Sequence, residues 1–318
     1  MEEESSNPSE TDDIIYSEPA SKPKRKIGEI LIEKALFLAG AIAVLFVVLI
    51  FAYVLYESIP FFLQVNPIDF FAGIEFRPWS SDPKYGLITP LWSSFLVTII
   101  ALAIAIPVGV FSAMYISQVA RKKEREILKP LIEILAGVPS VVYGFFAFVI
   151  LASAISVIFG PLVVERLNAL NGAVILAVMA LPTIISISED ALSAVPRQYK
   201  EAAYALGSSD WETLRNVTFP TAKPGIVTAI LLGFGRAIGE TMAVLMATGN
   251  ATHFTLNPLD AIAAMTALIA RDFGEVPRGS IWYHSMFALA LVLLVITILI
   301  NWVATSIIGR RLGWRIRR

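Results

Sequence analysis

The chain has 318 residues, 56% of them hydrophobic and only 16% charged, with a mean hydropathy of +0.71. Soluble domains carry about 25% charged residues, so the composition excludes an ordinary water-soluble domain and points to a lipid environment. There is no cysteine, which rules out disulfides, thiolate metal sites and cysteine catalysis. Two histidines, His253 and His284, are too few for a histidine-rich metal centre.

Residues 1–26 are polar, rich in Glu, Ser and Pro, and end in the basic run KPKRK. They read as a disordered cytoplasmic tail. They do not read as a cleavable signal peptide, because the basic patch comes late and the apolar run after it is too long. A transmembrane helix needs about 20 largely apolar residues. Six stretches qualify, at residues 35–56, 91–117, 132–158, 172–188, 225–248 and 284–308. Proline or glycine falls inside several of them, at Pro107, Gly137, Pro139 and Pro182. Such residues are tolerated where neighbouring helices satisfy the freed backbone groups. The expected fold class is an all-α integral membrane protein with six transmembrane helices.

Lys and Arg fix the expected orientation. They cluster in the tail, in the loop after the second span (Arg121, Lys122, Lys123, Arg125, Lys129), in the loop after the fourth (Arg197, Lys200, Arg215, Lys223) and at the C-terminus. The opposite loops hold only Arg77, Lys84, Arg166, Arg271 and Arg278. Both termini and the two basic loops are therefore expected in the cytoplasm. Residues 57–90 and 249–283 are expected as external loops. Their aromatic residues suit either an external partner or packing at the headgroup zone.

The cytoplasmic loop of residues 189–224 reads EDALSAVPRQYKEAAYALGSSDWETLRNVTFPTAKP. Residues 200–206 favour a helix, and Gly207 stands where a helix stops. Ser209 and Glu212 have capping-box spacing for a second short helix, which Pro220 and Pro224 are expected to end. A helix–glycine–helix elbow with mixed charge suits docking of a soluble partner, or a connector lying on the membrane.

The fifth span carries two charges, Arg236 and Glu240, in GRAIGETMAVLMA. At i and i+4 they are expected on one helix face, turned from lipid, because a charge at mid-bilayer costs roughly 2.5–3.5 kcal/mol on insertion scales. Gly233, Gly235 and Gly239 beside them allow close approach of a helix or a substrate. An arginine fork matches an oxyanion, and Thr241 is a further candidate to line the same path. A structural ion pair fixing helix packing is the alternative. Glu133, Ser140, Tyr143, Thr248, Asn301 and His284 read better as interface anchors, interhelical bonds or packing.

Glu201-Ala202-Ala203, three residues, Gly207, nine residues, then Val217-Thr218-Phe219-Pro220 resembles the EAA loop of ABC importer permeases. Val217 and Phe219 replace Ile and Leu of that pattern. The stretches GRAIGETMAVLMATGN, LKPLIEILAGVPSVVYGFF and KYGLITPLWSSFLVT are similar to phosphate permeases of the PstC type. The resemblance implies a type I importer permease fold and a non-catalytic subunit. It makes Glu201, Ala202, Ala203, Gly207 and Pro220 the ATPase-docking positions. It also implies a homologous PstA-type permease beside the chain in membrane lipid, an ATPase dimer inside and a phosphate-binding protein outside. No nucleic acid, metal or cofactor is implied for the chain itself. No Walker A sequence occurs, so ATP is expected on the separate subunit. A permease for sulfate or molybdate and an ion-driven secondary transporter are the competing readings.

Overall fold

The computed structural model describes residues 27–311; the tail at 1–26 and residues 312–318 lie outside the described residues. The described residues divide into two units, before and after the junction of Ile50 with Phe51. Helix α1 (Ile27–Gln64) begins in the first, where every side chain from 31 to 50 is exposed. Such a helix satisfies its backbone internally but buries none of these side chains in its own chain, which is stable only in lipid or against another protein.

The second unit is helical apart from a two-strand hairpin, β1 (Phe76–Arg77) against β2 (Lys84–Tyr85). Short α2 (Pro67–Ala72) precedes it. Then follow α3 (Ile88–Met114), α4 (Lys122–Gly137), α5 (Ser140–Phe146), α6 (Ala152–Phe159) and α7 (Ala169–Ser193). The chain continues through α8 (Arg197–Ala205), α9 (Asp210–Thr213), α10 (Phe219–Gly239), α11 (Met242–Ala247), α12 (Met265–Asp272) and α13 (Ile281–Arg311). Among the described residues six helices are long and apolar enough to cross a membrane. They run Leu31–Gln64, Ile88–Val119, Ser140–Leu162, Ala169–Ser193, Asp210–Gly239 and Ile281–Trp302.

Helix α7 is the central post. Its Ile184 is fully buried, and a Cβ added to Gly109 of α3 or to Gly233 of α10 would lie 2.7 Å from it. The missing side chains let both helices close on α7. Asn168 caps α7 by accepting from the Asn171 N–H at 2.9 Å.

Three segments depart from the sequence reading. The third span starts at Ser140 and not near Glu133, because Val138 adopts an extended conformation before Pro139. Residues 122–137 instead form α4, which buries no side chain and leaves Glu133 exposed. The prolines after the docking elbow do not end its second helix. The chain widens into a π-turn at Leu214–Thr218, with the Phe219 N–H bonded back to Leu214, and runs on into α10. The wide turn accommodates Pro220, which has no N–H and whose ring would crowd the carbonyl four residues back.

The third departure lies inside the loop of residues 249–283, where residues 261–268 are buried as core. Residues 261–265 are each less than 5% exposed. Their backbone is satisfied from other elements: Ala261 N–H donates to Glu165, Ile262 N–H to the Thr248 carbonyl and Met265 N–H to Ser94 Oγ. The apolar run AIAAMTALIA is too short to span a bilayer, so it reads as a loop in the sequence, yet it is buried as core.

Candidate functional site: the broken fifth span

The fifth span is interrupted where its charges lie. Helix α10 stops at Gly239, and Glu240 takes an extended conformation (φ −69°, ψ 133°). Helix α11 starts two residues later with Thr241 at its N-cap. The expected shared helix face therefore does not form. Arg236 and Glu240 lie on opposite sides of a break, and no ion pair joins them.

Each has its own partners. Arg236 sits half-buried in the last turn of α10, where the carbonyl-rich helix end favours a cation. Among the described residues its guanidinium makes one side-chain hydrogen bond, to Thr183 Oγ1 on α7 at 3.5 Å. A guanidinium has five N–H donors, so most of its donor capacity is open. Glu240 Oε1 accepts from the Ala243 N–H at 3.3 Å and thereby caps α11, while the Glu240 carbonyl accepts from Thr266 Oγ1 at 2.7 Å. A cavity of about 10 Å³ between Glu240, Ser94, Thr98 and Thr266 has room for about one water. Thr241 Oγ1 turns back to the Gly239 carbonyl at 3.4 Å. Gly233 packs on Ile184, whereas Gly235 and Gly239 have open space beside them.

The far side of the break is fixed by residues that the sequence did not single out. Fully buried Asn171 donates from Nδ2 to the Ala247 carbonyl at 2.9 Å and anchors the end of α11 to α7. Ser94 does the same for the start of α12 through Met265 N–H at 2.8 Å. The spacing NALNG does signal an N-cap before α7, but nothing in it reveals the long-range bond of Asn171. Thr248 and Tyr143 bond the backbone locally, at the Val244 and Leu135 carbonyls. His284 Nδ1 meets the Glu57 carbonyl at 2.8 Å, a packing role.

The helix–glycine–helix elbow forms as its spacing predicts. Helix α8 ends at Ala205, Gly207 takes φ +84°, and the N–H groups of Gly207 and Ser208 return to the carbonyls of Tyr204 and Ala203. This is the Schellman arrangement. Ser209 and Glu212 complete the capping box. Glu201, Ala202 and Gly207 are exposed, Ala203 is buried, and exposed Tyr199, Tyr204, Leu206 and Trp211 surround them. Lys200 Nζ donates to Gln118 Oε1 at 2.8 Å and ties the elbow to the end of the second span. Burial, then the Arg197 and Arg125 charges, lower the Lys200 pKa. The Asp210 carboxylate beside Tyr204 raises that hydroxyl's pKa.

A second charged cluster joins α4 to α7. Glu189, 5% exposed, accepts from Arg125 at 2.6 Å, from Lys129 at 2.7 Å and from Ser193 at 3.0 Å. The sequence shows Arg125 and Lys129 only as topology-setting charges, since their partner lies some sixty positions away.

Six spanning helices, a charged break in the fifth and a capped elbow ahead of it define a multi-pass membrane protein. The family described as "Binding-protein-dependent transport system inner membrane component" matches residues 105–312, and the chain belongs to it. The chain is 39% identical over 235 residues to a probable ABC transporter permease, YqgH, of Bacillus subtilis, covering 74% of this chain and 75% of that one. It is 32% identical over 273 residues to the phosphate transport system permease PstC of Xylella fastidiosa, covering 80% and 82%. Among solved structures, a bacterial alginate ABC transporter with its periplasmic protein aligns with a TM-score of 0.59 at 16% identity, over 91% of this chain and 99% of that one. The MetNI methionine ABC transporter aligns at a TM-score of 0.54 and 18% identity, over 70% and 94%. These low identities carry the fold, that of the type I importer permeases. The chain is a multi-pass inner-membrane subunit of an ABC importer.

Proposed function

We propose that the chain is the permease subunit of an ATP-driven phosphate importer, forming half of the translocation path. The observation that carries this reading is Arg236, a half-buried cation inside a membrane span whose guanidinium is held by one long hydrogen bond. Keeping such a charge in a span is costly unless it serves a polar path. Its fork of donors fits phosphate oxygens. The similarity to phosphate permeases over four fifths of the chain supports phosphate over sulfate or molybdate.

On this reading the basic loops and both termini face the cytoplasm, following the positive-inside rule. A separate ATPase dimer engages the elbow around Glu201, Ala202, Ala203 and Gly207, with Pro220 behind it at the start of α10. A homologous PstA-type permease supplies the other half of the path, and an external phosphate-binding protein delivers the anion. Elbow motion passes along α10 to the break at Glu240, while Asn171 and Ser94 hold α11 and α12 still. Arg236 then meets the anion, with Thr241 beside the path. Glu240 competes for the guanidinium when the break straightens, which allows release.

The test is ATP-dependent uptake of labelled phosphate by the complete complex in vesicles, with excess sulfate as competitor. Arg236→Gln in a normally assembled complex is expected to lose at least about tenfold in rate, and sulfate is expected to compete weakly. Wild-type uptake by that variant would sink the role of Arg236, and equal competition by sulfate would sink phosphate selectivity.

A further inference from the structure

Helix α3 and the junction of α9 with α10 line a groove of about 340 Å³. Its long walls are apolar: Ile106, Pro107 and Phe111 on one side, Ile226 and Ile230 on the other. One end differs. Trp211 and Arg215 close it at the docking elbow, with Phe219 just inside. Along α3 the lining runs from 106 to 114, a rise of about 12 Å, and along α10 from 219 to 230, about 16 Å. Both match one leaflet, about half of a hydrocarbon core roughly 30 Å thick. Pro107, whose missing N–H and bulky ring disturb the regular turn of α3, lines the groove.

The charge at the elbow end is uncompensated. Arg215 is exposed and makes no ion pair among the described residues. Glu212, three residues before it, is committed elsewhere: it accepts from the backbone N–H and the hydroxyl of Ser209, both at 2.8 Å. The Trp211 indole, 61% exposed, suits the headgroup level. An apolar channel one leaflet deep, closed by a free guanidinium and an interfacial tryptophan, is complementary to a molecule with an acyl chain and an anionic head.

We propose that this groove binds an anionic phospholipid, its acyl chain between α3 and α10 and its phosphate on Arg215. The inference uses only the orientation given above, which places the headgroup in the cytosolic leaflet. Because Trp211 and Arg215 belong to the docking elbow and Phe111 to the second span, the bound lipid bridges the two. The elbow is thereby made sensitive to the charge of the surrounding membrane.

Native mass spectrometry of the intact complex tests this, after equilibration with a defined mixture of phosphatidylglycerol and phosphatidylcholine. The wild type is expected to retain phosphatidylglycerol in preference, Arg215→Gln to reduce that preference by about fivefold, and Ile230→Trp to displace both lipids by filling the groove. The intact mass of each variant reports assembly independently of transport, so a chain that carried some other solute would leave the result unchanged. Unaltered lipid retention by assembled Arg215→Gln overturns the proposal. So does a photocrosslinker at position 111 that captures a helix of another protein chain in place of lipid.

Discussion

Gly207 holds φ at +84° with nothing within 4 Å of where a Cβ would stand, so its requirement is conformational rather than steric. An L-residue in that region costs about 1–2 kcal/mol. Gly207→Ala is expected to destabilise the elbow by about 1 kcal/mol, and Gly207→Asn by less, since Asn tolerates this region. Hydrogen exchange at the amides of residues 205–209 reads the difference; equal exchange in both variants would show that the turn is not held by this glycine. Glu189 is a different kind of residue, defined by what reaches it. Glu189→Gln leaves Arg125 and Lys129 facing a neutral amide. Breaking a fully buried pair costs about 3–5 kcal/mol. Both cations are about 40% exposed, so solvent screens the pair and a loss of about 1–2 kcal/mol is expected in thermal unfolding. The elbow glycine was legible in the sequence because its role is local; the Glu189 cluster was not, because its members come from separate helices.

Between elements, the break in the fifth span and the link from α4 to α7 carry the behaviour. Glu240 acts on α11 as a hydrogen-bond acceptor, a role that needs no charge. Glu240→Gln keeps an acceptor and is expected to leave stability unchanged, whereas Glu240→Ala loses the cap at a cost of about 1 kcal/mol. If Gln slows transport while Ala and Gln differ in stability, the carboxylate charge serves the path and the oxygen serves the cap. Equal stability of the two variants removes the capping role. The link of α4 to α7 has a pH signature. Hydrogen bonding to Glu189 raises the Lys129 pKa against the opposing effect of burial. A cation whose folded pKa is raised contributes stability that is fully present below its unfolded pKa, about 10.4, and is lost as pH rises through the folded value. The difference in stability between the wild type and Lys129→Met is therefore expected to be flat through neutral pH and to shrink only above about pH 10. A difference that shrinks near pH 7 would assign the link to another group.

Over the whole molecule, the orientation read from Lys and Arg is open to a direct test, because the chain has no cysteine. A membrane-impermeant maleimide added to intact cells is expected to label Ser81→Cys, and to label Lys123→Cys only after lysis. The reverse pattern inverts the topology. The number of spans and the capped elbow were legible because each rests on a local signal: about twenty apolar residues, or a glycine and a capping box at fixed spacing. The burial of residues 261–268 was not, since a ten-residue apolar run has the same local pattern whether it lies at an interface or in a core.

By itself the sequence determined six crossings and the capped elbow, both set by hydrophobic length and short-range hydrogen bonding. Only the tertiary structure decided that the fifth crossing breaks at Glu240, that Arg236 turns to Thr183, and that a short apolar segment is buried against α3 and α7. Those outcomes depend on backbone groups finding partners on distant helices, and helical periodicity carries no record of which distant group will answer.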